Sequence, residues 1–254
     1  MLKKRIIPTL LWKDFGLVKG KQFYNDRRVG TVLPAVKVYN MRCVDELIFL
    51  DITATEKKGE PNYQVIEEFS EECFVPLTVG GGISKLEHAK RLFRVGADKV
   101  LLNTACYENP GLVEECASFF GSQSIVVGID FKESSRGQHQ TYKNSGKELT
   151  GYDPCAWAKM LESLGAGEIL LTSIDRDGML SGYDLDVVNQ VCEAVKIPVI
   201  VSGGAGSYED FYEVFSQTRA SAVSAASLFH FTEQTPNEAK KYLFERKIPV
   251  RVFT

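Results

Sequence analysis

Carboxylates, glycines and hydroxyls that follow short apolar runs are the residues of this chain whose types and spacing could do chemistry. Asp130 ends the run VVGID, so an apolar strand would carry one carboxylate to its tip, either to move a proton or to cap the next element. Asp51 and Asp177 take similar positions, and Asp177-Gly178 could equally hold a loop turn or accept a substrate hydroxyl. Gly80-Gly81-Gly82 follows one run and Gly203-Gly204 another. Glycines at a helix start leave backbone N–H groups bare toward an anion, although any strand-to-helix turn also favours glycine. Each of these turns has a polar companion, Asn103-Thr104 for Gly82 and Ala226-Ser227 for Gly204, which points to a small-molecule ligand with a phosphate at each end. Arg5, Glu46, Lys99 and Glu168 stand at or just before apolar runs, and spacing alone makes them a solvated rim of unrelated charges.

Positioning these groups requires strands. Eight runs qualify: Ile6 to Leu11, Leu47 to Asp51, Pro76 to Val79, Lys99 to Asn103, Ile125 to Asp130, Ile169 to Ser173, Val199 to Ser202 and Ala222 to Ala225. Amphipathic stretches lie between them, among them Lys85 to Val95, Pro110 to Phe120, Pro154 to Leu164 and Leu185 to Val195. This alternation predicts an α/β chain forming a single (β/α)8 TIM barrel over residues 1–254, with a doubly wound open sheet as the alternative. VPLTVGGGIS echoes IPVIVSGGAGS, and FLDITA echoes LTSIDRD, at offsets of about 120 residues, which implies two similar (βα)4 halves, about 1–121 and 122–254. Aligning the halves puts Leu11 opposite Asp130. Two carboxylates could divide acid and base duties, whereas one carboxylate facing a leucine cannot.

Composition narrows the partners. The 254 residues are 44% hydrophobic, and 30 Lys+Arg against 33 Asp+Glu leave a net charge of −3, with no basic run to bind nucleic acid or an anionic membrane. No apolar run approaches the ~20 residues needed to cross a bilayer, and the start MLKKRIIPTLLWKDF reads as a first strand rather than a targeting segment. The six cysteines (Cys43, Cys73, Cys106, Cys116, Cys155, Cys192) show no metal-ligand spacing and suit a reducing, cytoplasmic setting. No metal and no cofactor are expected.

The runs KRII, FLDITA, TVGGGI, GAGEILLTSIDRDG, SGYD, SGGAG and AAS-FHF resemble the HisF family, the cyclase subunit of imidazole glycerol phosphate synthase, over nearly the whole chain. The resemblance implies a barrel that takes ammonia from a HisH-like class I glutaminase docked at the strand amino termini. At the opposite mouth the family splits a phosphoribulosyl formimino carboxamide ribotide into imidazole glycerol phosphate and an aminoimidazole carboxamide ribotide. By the same resemblance, Asp130 and Lys19, the latter in the loop after the first strand, are catalytic. Gly82, Asn103, Thr104, Asp177, Gly178, Gly204, Ala226 and Ser227 serve the phosphorylated ligand, Arg5, Glu46, Lys99 and Glu168 become an ammonia gate, and Asp98 and Gln123 belong to the glutaminase interface.

The chain departs from the family at its first strand. TLLWKDF places Leu11 where the family has a catalytic aspartate and Phe15 where a glycine is usual, and Gly30-Thr31-Val32 replaces Gly-Asp-Pro. A divergent branch, the glycosyl amidation associated proteins of surface-polysaccharide clusters, is similar at Leu10-Leu11 and Gly16-Leu17-Val18-Lys19. In that branch the ammonia serves a third protein that amidates a nucleotide-linked sugar. The sequence therefore ranks an ammonia-channelling subunit for sugar amidation first, a histidine-pathway cyclase second and a non-catalytic glutaminase activator third.

Overall fold

A computed structural model describes residues 2–14, 16–134 and 137–252; Phe15 lies outside the described residues. Its strands are β1 (Arg5–Lys13), β2 (Gly16–Lys21), β3 (Tyr24–Gly30), β4 (Leu47–Asp51), β5 (Leu77–Gly80), β6 (Lys99–Leu102), β7 (Ile125–Glu133), β8 (His139–Lys143), β9 (Glu148–Leu149), β10 (Glu168–Ser173), β11 (Val199–Ser202) and β12 (Ala222–Ala225). The helices are α1 (Val32–Met41), α2 (Tyr63–Ser70), α3 (Leu86–Arg94), α4 (Thr104–Glu108), α5 (Gly111–Phe120), α6 (Pro154–Ser163), α7 (Leu185–Ala194), α8 (Tyr208–Gln217), α9 (Ser227–Phe231) and α10 (Pro236–Glu245).

Eight strands pair in parallel in the order β1, β4, β5, β6, β7, β10, β11, β12, and β12 returns to β1. The sheet is a closed (β/α)8 barrel, and the open-sheet alternative falls. The strands' period of two divides their side chains between two environments. Ile6, Leu10, Leu47, Phe49, Val100 and Ile169 face the helices, while Ile7, Ile48, Leu101, Val126, Leu170, Ile200 and Ala222 form a separate apolar cluster along the barrel axis. Local signals set the helix starts: Asp153 accepts the Cys155 and Ala156 N–H groups ahead of α6, with Pro154 next to it, and Asp184 accepts Val187 N–H ahead of α7.

The structure moves several sequence boundaries. Asn103 caps α4 instead of ending β6, and Glu168 belongs to β10. β7 continues past Asp130 to Glu133 because residues 130–133 pair with β8 as an antiparallel hairpin. β1 likewise continues to Lys13, where it pairs with β2, and β2 pairs with β3. The first strand of each predicted half thus carries a hairpin that rises above the mouth.

Candidate functional site

A cavity of about 1210 Å³ opens at the carboxyl ends of the barrel strands, lined by Thr9, Leu11, Lys19, Asp51, Gly82, Asn103, Thr104, Asp130, Thr172, Asp177, Gly178, Gly204, Ala226 and Ser227 among others. Every residue the sequence assigns to catalysis or to the phosphorylated ligand borders this one space. The three strand-end carboxylates differ in what surrounds them. Asp51 is buried and accepts the Thr53 and Ala54 N–H groups and the Thr53 hydroxyl, which makes it a loop-holding residue. Asp177 accepts both its short bonds from the Lys19 ammonium, at 2.7 and 2.5 Å. Asp130 alone is left to exchange a proton.

Burial pushes the Asp130 carboxyl up to about 7; Asn103 Nδ2, donating at 2.8 Å, works against the shift, the Asp177 charge adds to it, and the Thr172 hydroxyl opposes it more weakly. A carboxyl poised there is half protonated at neutral pH, the condition under which it can act as an acid or a base. Across the mouth, Leu11 pairs in register with Leu50 and Val18, while Asp130 pairs with Thr172 and Tyr142. Asn103 of the first half has Ala226 as its counterpart, so the site next to Leu11 has neither a carboxylate nor an amide to hold one.

Lys19 is corrected from the sequence reading. It lies on β2 rather than in a loop, is only 2% exposed, and ties the β2–β3 hairpin to the segment after β10. Gln22 N–H donates to the Asp177 carbonyl at 2.7 Å, and a Cβ on Gly178 would stand 2.4 Å from the Gly20 carbonyl oxygen. The hairpin therefore closes down on Gly178 backbone to backbone. Beneath it, burial and the Lys19 charge lower the His230 imidazole to about 4, so it is neutral, and its buried Nε2 meets no hydrogen-bond partner among the described residues.

The two glycine turns are unequal. At the first, Gly82 N–H donates to Thr55 Oγ1 at 3.3 Å, and Thr104 Oγ1 accepts Asn144 N–H at 3.0 Å, so neighbouring loops engage part of the cradle. At the second, Gly204 has φ 128° and Ser227 Oγ is buried without a partner among the described residues; Asn103 Oδ1, beside Asp130, likewise has none among them. Buried polar atoms are usually paired in folded proteins, so these two, which line the cavity, are candidates to bond a ligand there. The sequence reading did not single out Thr172, Ser202 and Ser224, which line the cavity together with Asp130; the inward phase of their strands is the signal that would have found them.

At the other end of the barrel, four charges close into a ring. Arg5 bridges Glu46 at 2.7 Å and Glu168 still more closely, and Lys99 reaches Glu46 and Glu168 at 3.0 Å each. The two glutamates are buried, so the solvated rim expected from spacing is replaced by an alternating ring across the axis. Burial opposes the Arg5 charge, yet the hydrogen bonds and fields of Glu168 and Glu46 outweigh it and hold the guanidinium above its ordinary value. Asp98, on a bend, and Gln123, in the short 3-10 helix Ser122–Ser124, are exposed at this same end: Asp98 Oδ2 accepts Leu77 N–H at 2.8 Å, and Gln123 Nε2 donates to the Phe120 carbonyl at 3.2 Å.

Among the described residues no helix is long and apolar enough to cross a membrane. The family model of histidine biosynthesis proteins matches residues 5–235. The chain is 47% identical to the imidazole glycerol phosphate synthase subunit HisF of Lactococcus lactis subsp. cremoris (strain SK11), over 99% of this chain and 98% of that one. It is also 47% identical to the subunit of the same name from Chlorobium phaeobacteroides (strain BS1) and 43% identical to that from Alkaliphilus metalliredigens (strain QYMF), in each case over 99% of this chain and 100% of the relative.

Proposed function

The chain belongs to the histidine biosynthesis protein family, within its HisF branch, and from that premise we propose that it is the synthase subunit of an ammonia-channelling glutamine amidotransferase complex. The observation that carries the proposal is the pairing of opposite ends: a charged ring across one mouth and a large cavity at the other, with Asp130 raised to about 7. A HisH-like glutaminase docks on the face of Asp98 and Gln123. Ammonia passes the ring of Arg5, Glu46, Lys99 and Glu168 and moves along the axis. The phosphorylated substrate spans the mouth, one phosphate at Gly82, Asn103 and Thr104 and the other at Gly204, Ala226 and Ser227. Asp130 delivers or removes the proton at the reacting centre, Asn103 orients it, and Asp177-Gly178 with Lys19 closes the hairpin over the ligand.

The curated relatives named above carry the imidazole glycerol phosphate synthase name, so the cyclase, which the sequence ranks second, becomes the leading reading of the product. Sugar amidation, with the barrel passing ammonia to a third protein, is the second reading, and Leu11 is the observation that favours it: a lone carboxylate cannot divide acid and base duties. Turnover of the ribotide in excess ammonium salt separates them. The cyclase reading expects turnover that Asp130→Asn abolishes; the amidation reading expects none from the native chain and a gain in Leu11→Asp. The non-catalytic activator fits least well with orphaned polar atoms waiting in the mouth, and it fails if ribotide is consumed at all.

A further inference from the structure

Lys240 on α10 has no exposed surface, and its ammonium donates to the Cys43 carbonyl and to Asp45 Oδ1 at 2.7 Å each. The second carboxylate oxygen, Asp45 Oδ2, accepts the Ile6 backbone N–H at 2.9 Å. Asp45 adjoins Glu46 in the chain and Ile6 adjoins Arg5, the two residues joined by one 2.7 Å edge of the charged ring. A single carboxylate therefore ties β1 to the start of β4 at the point where that edge is anchored. The charge that balances it comes from the last helix, 195 residues away in the chain. A buried ion pair is seldom worth more to stability than apolar residues of the same volume, but removing one partner leaves a buried charge unpaired at a cost.

We infer that Lys240 and Asp45 are positioning residues for the charged ring: they set the spacing of Arg5 and Glu46 and so the passage of ammonia between the two active sites. The inference rests on the ammonia-channelling reading. Neither residue borders the mouth cavity, so chemistry on ammonia supplied from solution does not depend on them.

The test compares glutamine-driven with ammonium-driven turnover for the full chain in complex with a glutaminase, together with amide hydrogen exchange across residues 5–9. In Lys240→Met, glutamine-driven product formation falls about tenfold while ammonium-driven turnover holds within about twofold, as expected when a group is displaced far from the chemistry. Glutamate release continues, and the Ile6 amide exchanges faster. Adding Asp45→Asn to that variant restores coupling, because the new amide oxygen still accepts the Ile6 N–H and no buried charge is left unpaired. If Lys240→Met does not fold, Asp45→Ala is read the same way. Equal loss of both activities, or unchanged coupling with unchanged Ile6 exchange, overturns the inference. If the native chain binds no glutaminase or shows no glutamine-driven turnover, the channelling reading fails, and unchanged exchange at Ile6 then overturns the positioning claim separately.

Discussion

Asp130 holds its proton at a pH where an exposed carboxyl has lost it, and this affects both activity and stability. Below about pH 7 the folded state keeps a proton that the unfolded chain, with its carboxyl near the ordinary 3.8, has already released. Stability therefore falls as pH rises from about 4 to 7 and levels off above, the direction that follows when the folded-state value is raised. Asp130→Asn removes the effect, and denaturant titrations are expected to show the variant gaining about 2–3 kcal/mol on the native chain between pH 5 and pH 8. The same variant loses roughly 10²- to 10⁴-fold in ammonium-driven turnover. If Asp130 acts as the acid, native turnover, corrected for free ammonia, declines as pH passes about 7. A carboxylate at this strand tip was legible in VVGID, but its value was not, because burial and the bond from Asn103 arise only when β6 and β7 lie side by side. Lys19 was singled out only through the family resemblance and was placed in a loop; its pairing could not be read, since its partner Asp177 lies 158 residues away.

At the scale of elements, the hairpins set access to the mouth. Gly178 has φ 73° and no room for a Cβ against the Gly20 carbonyl, so Gly178→Ala strains the turn and lifts β2–β3 from it. Such a site costs about 1–3 kcal/mol, felt here as local opening rather than global unfolding, and limited proteolysis within residues 16–30 is expected to quicken. The glycine turns make a second prediction. Ser227 Oγ awaits a partner, so Ser227→Ala weakens inorganic phosphate binding by about 0.5–1.5 kcal/mol in titration calorimetry, whereas the fold is unaffected. Barrel strands and outer helices were readable because their periods of 2 and 3.6 repeat eight times. The hairpins were not: β3 is largely exposed and charged, and short polar strands such as β9 carry no burial pattern.

In the molecule as a whole, the charged ring and the cavity lie at opposite mouths of one axis. Arg5→Ala or Lys99→Ala leaves a buried glutamate short of a partner in the ring, and the glutamine-driven reaction should lose coupling while the complex with the glutaminase persists in gel filtration. The barrel could be read from the chain, but the ring could not, because four charges spread over more than 160 residues become neighbours only on closure. We read the two halves as duplicates, supported by the matching hairpins after β1 and β7, and Leu11 as the point where their chemistry diverges. The most direct test is steady-state turnover of the ribotide with excess ammonium by the native chain, beside Asp130→Asn and Leu11→Asp. Native turnover is expected well above the Asp130→Asn background, with a further rise in Leu11→Asp. A native rate equal to that background, with activity appearing only in Leu11→Asp, would contradict the cyclase and assign the ammonia to an acceptor on another protein.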